Sequence, residues 1–271
     1  MKGTDHDLGF QMNCSYGNAY RITGDKEYLE PILTSAKTLA KRFSPVTGVI
    51  RSWDFVRKGR DWKYPVIIDN MMNLEHLCNA GSIFTDDSLK VVAVTHANTT
   101  MCNHFRPDYT SWHLVDYDPE SGEVRKKETV QGFSDDSAWA RGQAWALYGF
   151  TMMFRESGHD SYLTQARNVA DMLLSRLPED GVPYWDLDSD KIPNDLRDAS
   201  AAAIMASAFV QLSTLTDDEA SNAKYLAMAE KQLRTLAGPE YLAEPGTNGN
   251  FILKHCVGSL PDNSEVDVAL T

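Results

Sequence analysis

The feature that most constrains the fold is a helical repeat. A turn containing Gly or Asp is followed by an amphipathic helix four times, and a Tyr-Leu pair or its weaker Ser-Leu equivalent marks each copy at positions 28, 88, 162 and 225. Apolar residues within each copy follow a period of about 3.6 residues, as in a helix with one buried face. The repeat recurs every ~60–75 residues, a longer period than that of helix-pair solenoids.

Each amphipathic helix follows a more apolar one. These apolar helices are predicted at residues 7–22, 67–84, 136–156 and 196–215, and the last is so rich in small apolar residues that we expect it to be buried all round. The pattern predicts four helical hairpins, each with a buried inner helix and an amphipathic outer helix. Short segments with strand character separate the hairpins, and one of them predicts a β-hairpin that turns at the sequence DPESG, residues 118–122.

Alternating inner and outer helices, with ribbons at one end, are typical of an all-α toroid of the (α/α)6 type. A closed toroid of this kind has six hairpins, whereas four are visible here. We therefore expect a single (α/α)6-barrel domain over residues 1–271 that is incomplete, lacking helices at both ends. An open arc of four hairpins is the alternative.

The charge balance restricts the partners. The chain has 26 Lys and Arg against 38 Asp and Glu, a net charge of −12. Nucleic acids and anionic membranes require a basic surface, so neither is predicted as a partner. No apolar run is long enough for a predicted transmembrane helix. The four cysteines lack metal-binding spacing and are predicted to be free thiols. The cell compartment is left open.

The densest group of functional side chains lies at residues 134–149, SDDSAWARGQAWALYG. Asp135 and Asp136 are predicted to cap a helix. Arg141 and Trp145 are four residues apart and therefore share one helix face, which suits a flat anionic ring. The alternative is that the tryptophans belong to the core and the acids are only caps.

Three further groups lie where ribbons enter inner helices, and Gln131 precedes the fourth. His6 and Asp7 open the first hairpin. Asp69 ends an apolar run, so it is either a helix cap or a carboxyl whose pKa is raised by apolar surroundings and which donates a proton near neutral pH. His113 is either structural or catalytic. Two carboxylates, a cation and aromatic side chains around one pocket are typical of a glycosidase.

Five segments together resemble glycoside hydrolase family 88, the unsaturated glucuronyl hydrolases: DHDLGF, VIIDNMMNLEHL, SWHLVDYDPESGEV, QGFSDDSAWARGQAWALYGF and HCVGSLPDNSEVDVAL. The resemblance covers nearly the whole chain, with the motifs in family order. It implies an (α/α)6 barrel, in agreement with the repeat. It also implies removal of a C4=C5 unsaturated uronic acid from the non-reducing end of oligosaccharides made by polysaccharide lyases, through hydration of a vinyl ether.

The resemblance also assigns the residues. Asp69 matches the general acid and base, and Asp7 matches a second acid that helps to hold the substrate and its developing positive charge. The positions around the unsaturated ring are matched by His6, His113, Gln131, Arg141 and Trp145. No metal or organic cofactor is implied, and the expected partners are unsaturated uronate-containing oligosaccharides.

Three other functions remain open at this point. Glycoside hydrolase family 105, the unsaturated rhamnogalacturonyl hydrolases, has the same fold and chemistry, although Gln143 in ARGQAW favours family 88. A sugar epimerase of the same fold would use a pair of histidines, of which only His113 is well placed. A non-catalytic, glycan-binding helical repeat would explain the helices and the acidity, but not acids beside Arg and Trp.

Overall fold

A computed structural model of the chain describes residues 5–55 and 59–262. Its contacts divide the chain into two compact units. Unit 1 comprises Met1–Phe105, Leu114–Lys127 and Met152–His159, and unit 2 comprises Arg106–His113, Glu128–Thr151 and Asp160–Thr271. The single domain expected from the sequence therefore stays a prediction.

Helices dominate both units. The described residues form nine α-helices: α1 (Leu8–Met12), α2 (Asn18–Thr23), α3 (Leu29–Ala40), α4 (Leu74–Phe84), α5 (Asp87–Asn103), α6 (Ala140–Ser157), α7 (Asp160–Arg176), α8 (Ala199–Leu212) and α9 (Glu219–Leu236). In chain order they give the four predicted pairs, the first of which has its inner helix divided into α1 and α2. The turns within these pairs are tight: Gly24, Thr85 and Gly158 have positive φ angles and end α2, α4 and α6.

The first inner helix differs from its prediction. A single helix over residues 7–22 was expected, but a π-helical turn, Asn13–Gly17, separates α1 from α2. Ser15 and Asn18 donate side-chain hydrogen bonds to backbone carbonyls four residues earlier, at 2.6 and 3.3 Å. Such bonds compete with the regular ladder and accompany local distortion of a helix. The apolar period alone did not indicate this interruption.

Short strands occur in two of the predicted ribbons, and a further strand, Tyr64–Ile67, was not predicted. In unit 1 the strands are β1 (Phe43–Ser44), β2 (Val49–Ile50), β3 (Tyr64–Ile67), β4 (Leu114–Tyr117) and β5 (Val124–Glu128). The pair β1–β2 is antiparallel, and β3–β4–β5 form a three-stranded sheet. The β4–β5 turn is the predicted DPESG, closed by a hydrogen bond from Gly122 N–H to the Asp118 carbonyl at 2.8 Å. This part of the prediction is confirmed.

Helix α8 is buried on most of its circumference, as its small apolar residues predict. The expectation of burial all round was wrong, however, because Val210 is 40% exposed. The four cysteines are free thiols, as predicted. Within the described ranges, no helix is both long and apolar enough to cross a membrane.

Two buried histidines of unit 1 predict loss of stability in acid. Burial lowers the pKa of His76 to about 4 and that of His96 to about 3, from 6.5. As the pH falls, these histidines therefore bind protons in the unfolded chain before they do so in the folded chain. The free energy of unfolding should consequently fall as the pH drops below about 6.5. His76 alone contributes roughly 3 kcal/mol to this loss by about pH 4. Urea unfolding at several pH values measures the slope.

A variant of His76 tests the assignment. His76→Gln should flatten the dependence of unfolding free energy on pH, whatever its effect on stability at neutral pH. His159→Gln replaces an exposed ring and serves as the control that keeps the full slope. An unchanged slope in His76→Gln would show that other groups cause the acid sensitivity.

Candidate active site

In unit 1, His6 and Asp7 lie at the entrance to α1. The backbone N–H of His6 donates to the Ser52 carbonyl at 2.8 Å. The imidazole ring of His6 is buried, and its Nε2 lies 3.3 Å from Oδ1 of Asp7. Asp7 occupies the N-cap position of α1, but its side chain makes no capping bond within the described residues and is 45% exposed. Its carboxylate therefore faces solvent with a buried histidine behind it.

Asp69 is not a helix cap. It is the second residue of a 3-10 turn, Ile68–Asn73, between β3 and α4, while the N-caps of the turn and of α4 are Ile67 and Asn73. The whole turn is buried, and the Asp69 side chain is only 7% exposed. Of the two interpretations of Asp69 left open by the sequence, the structure therefore supports a buried carboxyl group rather than a helix cap.

The segments that carry these two acids pack directly against each other. The Phe10 N–H of α1 donates to Oδ1 of Asn73 at 2.6 Å. A Cβ atom at Gly9 would lie 2.8 Å from both the Asn73 Cβ and the Leu39 Cδ2, closer than carbon atoms approach. Glycine at position 9 thus allows α1 to lie against the turn that carries Asp69. The sequence predicted both acids but not this close approach.

Burial and charge act in opposite directions on His6. Removal from water lowers the pKa of the imidazole, while Asp7, a hydrogen bond with Asn70 and Asp5 raise it and Arg42 lowers it further. Burial has the largest effect, so the pKa of His6 is lowered overall. The ring is therefore neutral near neutral pH and can share a proton with Asp7 rather than hold a fixed charge.

In unit 2, His113 precedes β4 and is buried. Its Nδ1 accepts hydrogen bonds from the backbone N–H groups of Val130 and Gln131, at 3.2 and 3.3 Å. The neutral ring consequently has its proton on Nε2. The ring also stacks on Trp139, with centroids 4.4 Å apart. The fold therefore fixes both the plane and the tautomer of His113, so that Nε2 is the hydrogen-bond donor.

Arg141, the second residue of α6, is only 4% exposed. Its Nη1 donates to Oδ2 of Asp198 at 2.8 Å, to Oγ of Ser200 at 3.2 Å and to the Val257 carbonyl at 2.5 Å, and its Nη2 donates to the Gly258 carbonyl at 3.1 Å. The guanidinium thus supports the segment at Val257 and Gly258. The described residues supply one acceptor to Nη2, the Gly258 carbonyl.

Gln131 and Trp145 border the same part of unit 2. The Gln131 Nε2 donates to the Gly258 carbonyl at 3.3 Å, the carbonyl that also accepts from Arg141. Trp145 lies one turn after Arg141 on α6 and is partly exposed, with its ring edge-on to Tyr148 at 5.9 Å. The sequence therefore predicted correctly that Arg141 and Trp145 share a helix, while the link through Gly258 is visible only in the structure.

The prediction that Asp135 and Asp136 cap α6 is wrong. The helix begins at Ala140, and the Asp135 carboxylate instead accepts from the Thr129 N–H at 3.1 Å. The start of α6 is held by a different segment, since the Ala138 N–H donates to Asp188 at 2.8 Å and the Ala140 N–H donates to the Trp185 carbonyl at 3.0 Å. Hydrogen bonds to residues distant in sequence therefore take the place of a local helix cap.

Sequence reasoning missed three buried polar residues that support these groups. Asp198 binds Arg141 and caps α8, Asp186 accepts from Ser137 at 2.7 Å, and Asn70 follows Asp69. Burial raises the pKa of Asp186. An Asp-x-Ser sequence before an apolar helix, as at Asp198, is a signal for a cap, but nothing local indicated its second partner. Over the described part of the chain, no group of His, Cys, Asp and Glu is arranged to hold a metal ion.

A comparison with known families decides the relationship. The family model described as Glycosyl Hydrolase Family 88 matches residues 6–264. The chain belongs to glycosyl hydrolase family 88. The rival prediction of family 105 is thereby set aside, and the match includes every predicted site residue of this family 88 chain.

Individual relatives agree with this family assignment. The unsaturated glucuronyl hydrolase of Formosa agariphila is 46% identical over 97% of this family 88 chain and 65% of its own length. The unsaturated chondroitin disaccharide hydrolase of Streptococcus pneumoniae is 34% identical over 97% of this chain and 66% of its own length. The chain thus spans about two thirds of the length of these curated relatives.

A solved structure confirms the fold class. The crystal structure of an unsaturated glucuronyl hydrolase specific for heparin matches 98% of this family 88 chain and 70% of its own chain, with 49% identity and a TM-score of 0.93. The predicted all-α, α/α-barrel class is therefore correct.

Proposed function

We propose that this chain is an unsaturated glucuronyl hydrolase, which removes a C4=C5 unsaturated uronic acid from the non-reducing end of oligosaccharides made by polysaccharide lyases. The observation that carries the proposal is the buried carboxyl of Asp69, which lies in a buried turn packed against the segment of Asp7. Membership of family 88 and 46% identity to an unsaturated glucuronyl hydrolase support it.

The proposed reaction begins with proton transfer. Asp69, as the carboxylic acid, protonates C4 of the vinyl ether, and positive charge develops at C5 and the ring oxygen. Water adds at C5 and returns a proton to the Asp69 carboxylate. The resulting hemiketal collapses, the ring opens, and the remaining sugar is released. A single carboxyl group therefore serves as acid and then as base, which requires a position close to both C4 and the water.

Asp7 has a complementary role in the proposal. Its half-exposed carboxylate is suited to hydroxyl groups of the substrate and to the positive charge that develops at C5. The neutral His6 behind it supports the carboxylate without adding a permanent positive charge. Removing the Asp7 charge should therefore weaken binding of the transition state more than binding of the substrate in its ground state.

The family positions matched by His113, Gln131, Arg141 and Trp145 support a role for these residues in binding the unsaturated sugar. The Nε2–H of His113 suits a hydroxyl or the attacking water, since Nδ1 is already occupied by two backbone N–H groups. Arg141 offers its guanidinium to the uronate carboxylate, and Gln131 lies beside it through the shared Gly258 carbonyl. The partly exposed ring of Trp145 suits stacking against the sugar ring.

The proposal is tested by the fate of the double bond. The purified chain is incubated with unsaturated disaccharides from chondroitin, heparin, ulvan and rhamnogalacturonan lyases, and the ultraviolet absorbance of the C4=C5 bond is followed. Hydration destroys this chromophore, so the absorbance should fall with at least one substrate. Heparin and chondroitin products come first, because the relatives are named for them. Binding or epimerisation with unchanged absorbance would contradict the proposal.

The stacking role of Trp145 gives a separate prediction. Trp145→Ala should raise KM about tenfold, equivalent to a loss of about 1.4 kcal/mol in binding, because a stacking surface is lost. Trp145→Phe retains a ring and should recover most of the affinity. Initial rates over a range of disaccharide concentrations measure both variants. Equal KM values in Trp145→Ala and the unmodified chain would exclude the stacking role.

A further inference from the structure

A buried carboxylate of unit 2 holds the loop that precedes α6, residues 129–139. Asp186 is completely buried. Its Oδ2 accepts from the Phe133 N–H at 2.9 Å and from the Ser137 hydroxyl at 2.7 Å, while its Oδ1 accepts from the Asp188 N–H at 2.9 Å. Hydrogen bonds to a carboxylate are stronger than those to a neutral oxygen. Asp186 therefore fixes the loop at two separate points.

Glycine at position 132 lets the loop approach this carboxylate. A Cβ atom there would lie 2.4 Å from Thr129 Cγ2, 2.7 Å from Asp186 Oδ2 and 3.0 Å from Trp139 Cβ. The first two distances are too short for a nonbonded contact, so a side chain at this position would push the loop away. The end of the loop is paired with the same segment, since Trp139 and Asp186 form an antiparallel β-bridge. The loop and Asp186 therefore lie in direct contact.

The same loop supplies the hydrogen bonds that orient His113. The N–H groups of Val130 and Gln131 donate to its Nδ1 at 3.2 and 3.3 Å. The N–H of Phe133, which follows them in the loop, is the group that Asp186 binds. Because so short a stretch of backbone moves as a whole, loss of the bond to Asp186 would also displace the two donors from Nδ1.

A second charged residue holds the later part of the loop. The Arg106 Nη2 donates to the carbonyls of Asp136 and Ser137, at 2.9 and 3.4 Å. These bonds are made to the main chain and remain available when the Asp186 carboxylate is removed. We therefore expect the displacement to be largest over residues 130–133, which include the two donors to His113.

We propose that Asp186 is a positioning residue for His113: its carboxylate holds the loop so that two backbone N–H groups point at Nδ1 and the ring keeps its own proton on Nε2. Without this carboxylate, the Phe133 N–H and the Ser137 hydroxyl lose a charged acceptor, which favours a loop conformation in which they reach water. An imidazole without the two donors can take its proton on Nδ1 as well. Only the kinetic consequence rests on the proposed function.

The test is nitrogen NMR of the imidazole rings in the histidine-labelled chain, without substrate and at about pH 8, where an ordinary imidazole is neutral. In the unmodified chain, His113 should have its proton on Nε2 alone. In Asp186→Ala, its Nδ1 signal should move toward that of a free imidazole, which exchanges between two tautomers. His255 lies in the same unit, edge-on to Tyr241 at 5.6 Å, and should not change. A purely structural loosening would move both histidines.

Gly132→Ala tests the same contact with the carboxylate in place. The added methyl group collides with Asp186 Oδ2 and displaces the loop, so His113 should respond as it does in Asp186→Ala. The substitution lies in a loop and leaves the helices and the buried acid unaltered. It therefore decides the question if Asp186→Ala does not fold.

Asp195→Asn is the matched control, because it alters a partly buried acid of the same unit that accepts from the Trp185 Nε1–H at 2.9 Å. It should leave the His113 signals unchanged. A His113 ring that already averages between tautomers in the unmodified chain would overturn the proposal, whether or not the variants fold. So would an Nδ1 signal of His113 that stays in place in Asp186→Ala or Gly132→Ala.

The kinetic consequence is a decrease in kcat/KM of about tenfold in Asp186→Ala, since the hydrogen bond offered by His113 Nε2–H is no longer oriented. Failure of the proposed function would appear as an absence of hydration by the unmodified chain, with the NMR response of His113 intact. Failure of the Asp186 proposal would appear as unchanged His113 signals in an active chain. The two failures are therefore distinguishable.

Discussion

Replacing Asp69 by asparagine is expected to lower the rate of double-bond hydration by about 10³–10⁴-fold while binding of the disaccharide is retained. Asparagine has nearly the same size and fits the same buried turn, but its amide neither donates an acidic proton to C4 nor accepts one from water. The rate is measured by the loss of ultraviolet absorbance, and binding is measured by calorimetry at the same pH.

Asp136→Asn is the control for this substitution. It makes the same chemical change at an exposed acid of the chain whose main-chain carbonyl, rather than its carboxylate, accepts a hydrogen bond from Arg106 at 2.9 Å. Its activity should equal that of the unmodified chain. An Asp69→Asn variant with comparable activity would remove Asp69 from the mechanism and direct attention to Asp7.

The largest effect on stability is expected from Asp198→Ala. The substitution leaves the buried guanidinium of Arg141 without its only carboxylate among the described residues, at a cost of about 3–5 kcal/mol. It also removes the α8 cap, since Asp198 Oδ1 accepts from the Ser200 N–H at 3.1 Å. Urea unfolding should show a marked decrease in the midpoint with a similar slope.

Two further variants separate the ion pair from the cap. Asp218 caps α9 by accepting from the Ala220 N–H at 3.1 Å, but its partner Arg167 is partly exposed to solvent. Asp218→Ala should therefore change the midpoint far less than Asp198→Ala does. Adding Arg141→Met to Asp198→Ala removes the uncompensated charge and should restore part of the stability. A double variant less stable than Asp198→Ala would contradict the ion-pair explanation.

Much of the fold was predictable because its signals are local. The apolar period predicted the four hairpins and the DPESG turn predicted the β4–β5 hairpin, although the second inner helix begins at Leu74 rather than at residue 67. Both depend on contacts between residues close in sequence. The π-helical turn at Asn13–Gly17 was missed because side-chain bonds to the backbone, rather than the apolar period, interrupt that helix.

The site was predictable only in part. Motifs in family order predict that the acids Asp7 and Asp69 belong to the site, but the sequence left open whether Asp69 is a cap or a buried carboxyl. Burial of the turn decided that question. Asp135 and Asp136 do not cap α6, because the N–H groups at its start donate instead to the Asp188 carboxylate and the Trp185 carbonyl.

The sequence by itself determined which residue types are present, which of them share a helix, and the family to which the chain belongs. Only the tertiary structure decided what each group binds: Arg141 binds Asp198, 57 residues away, and the His6 N–H donates to the Ser52 carbonyl of a different segment. Helical periodicity specifies which face of a helix is buried but not what lies opposite it. The partners of a buried charge, and hence its protonation and orientation, are set where distant segments meet.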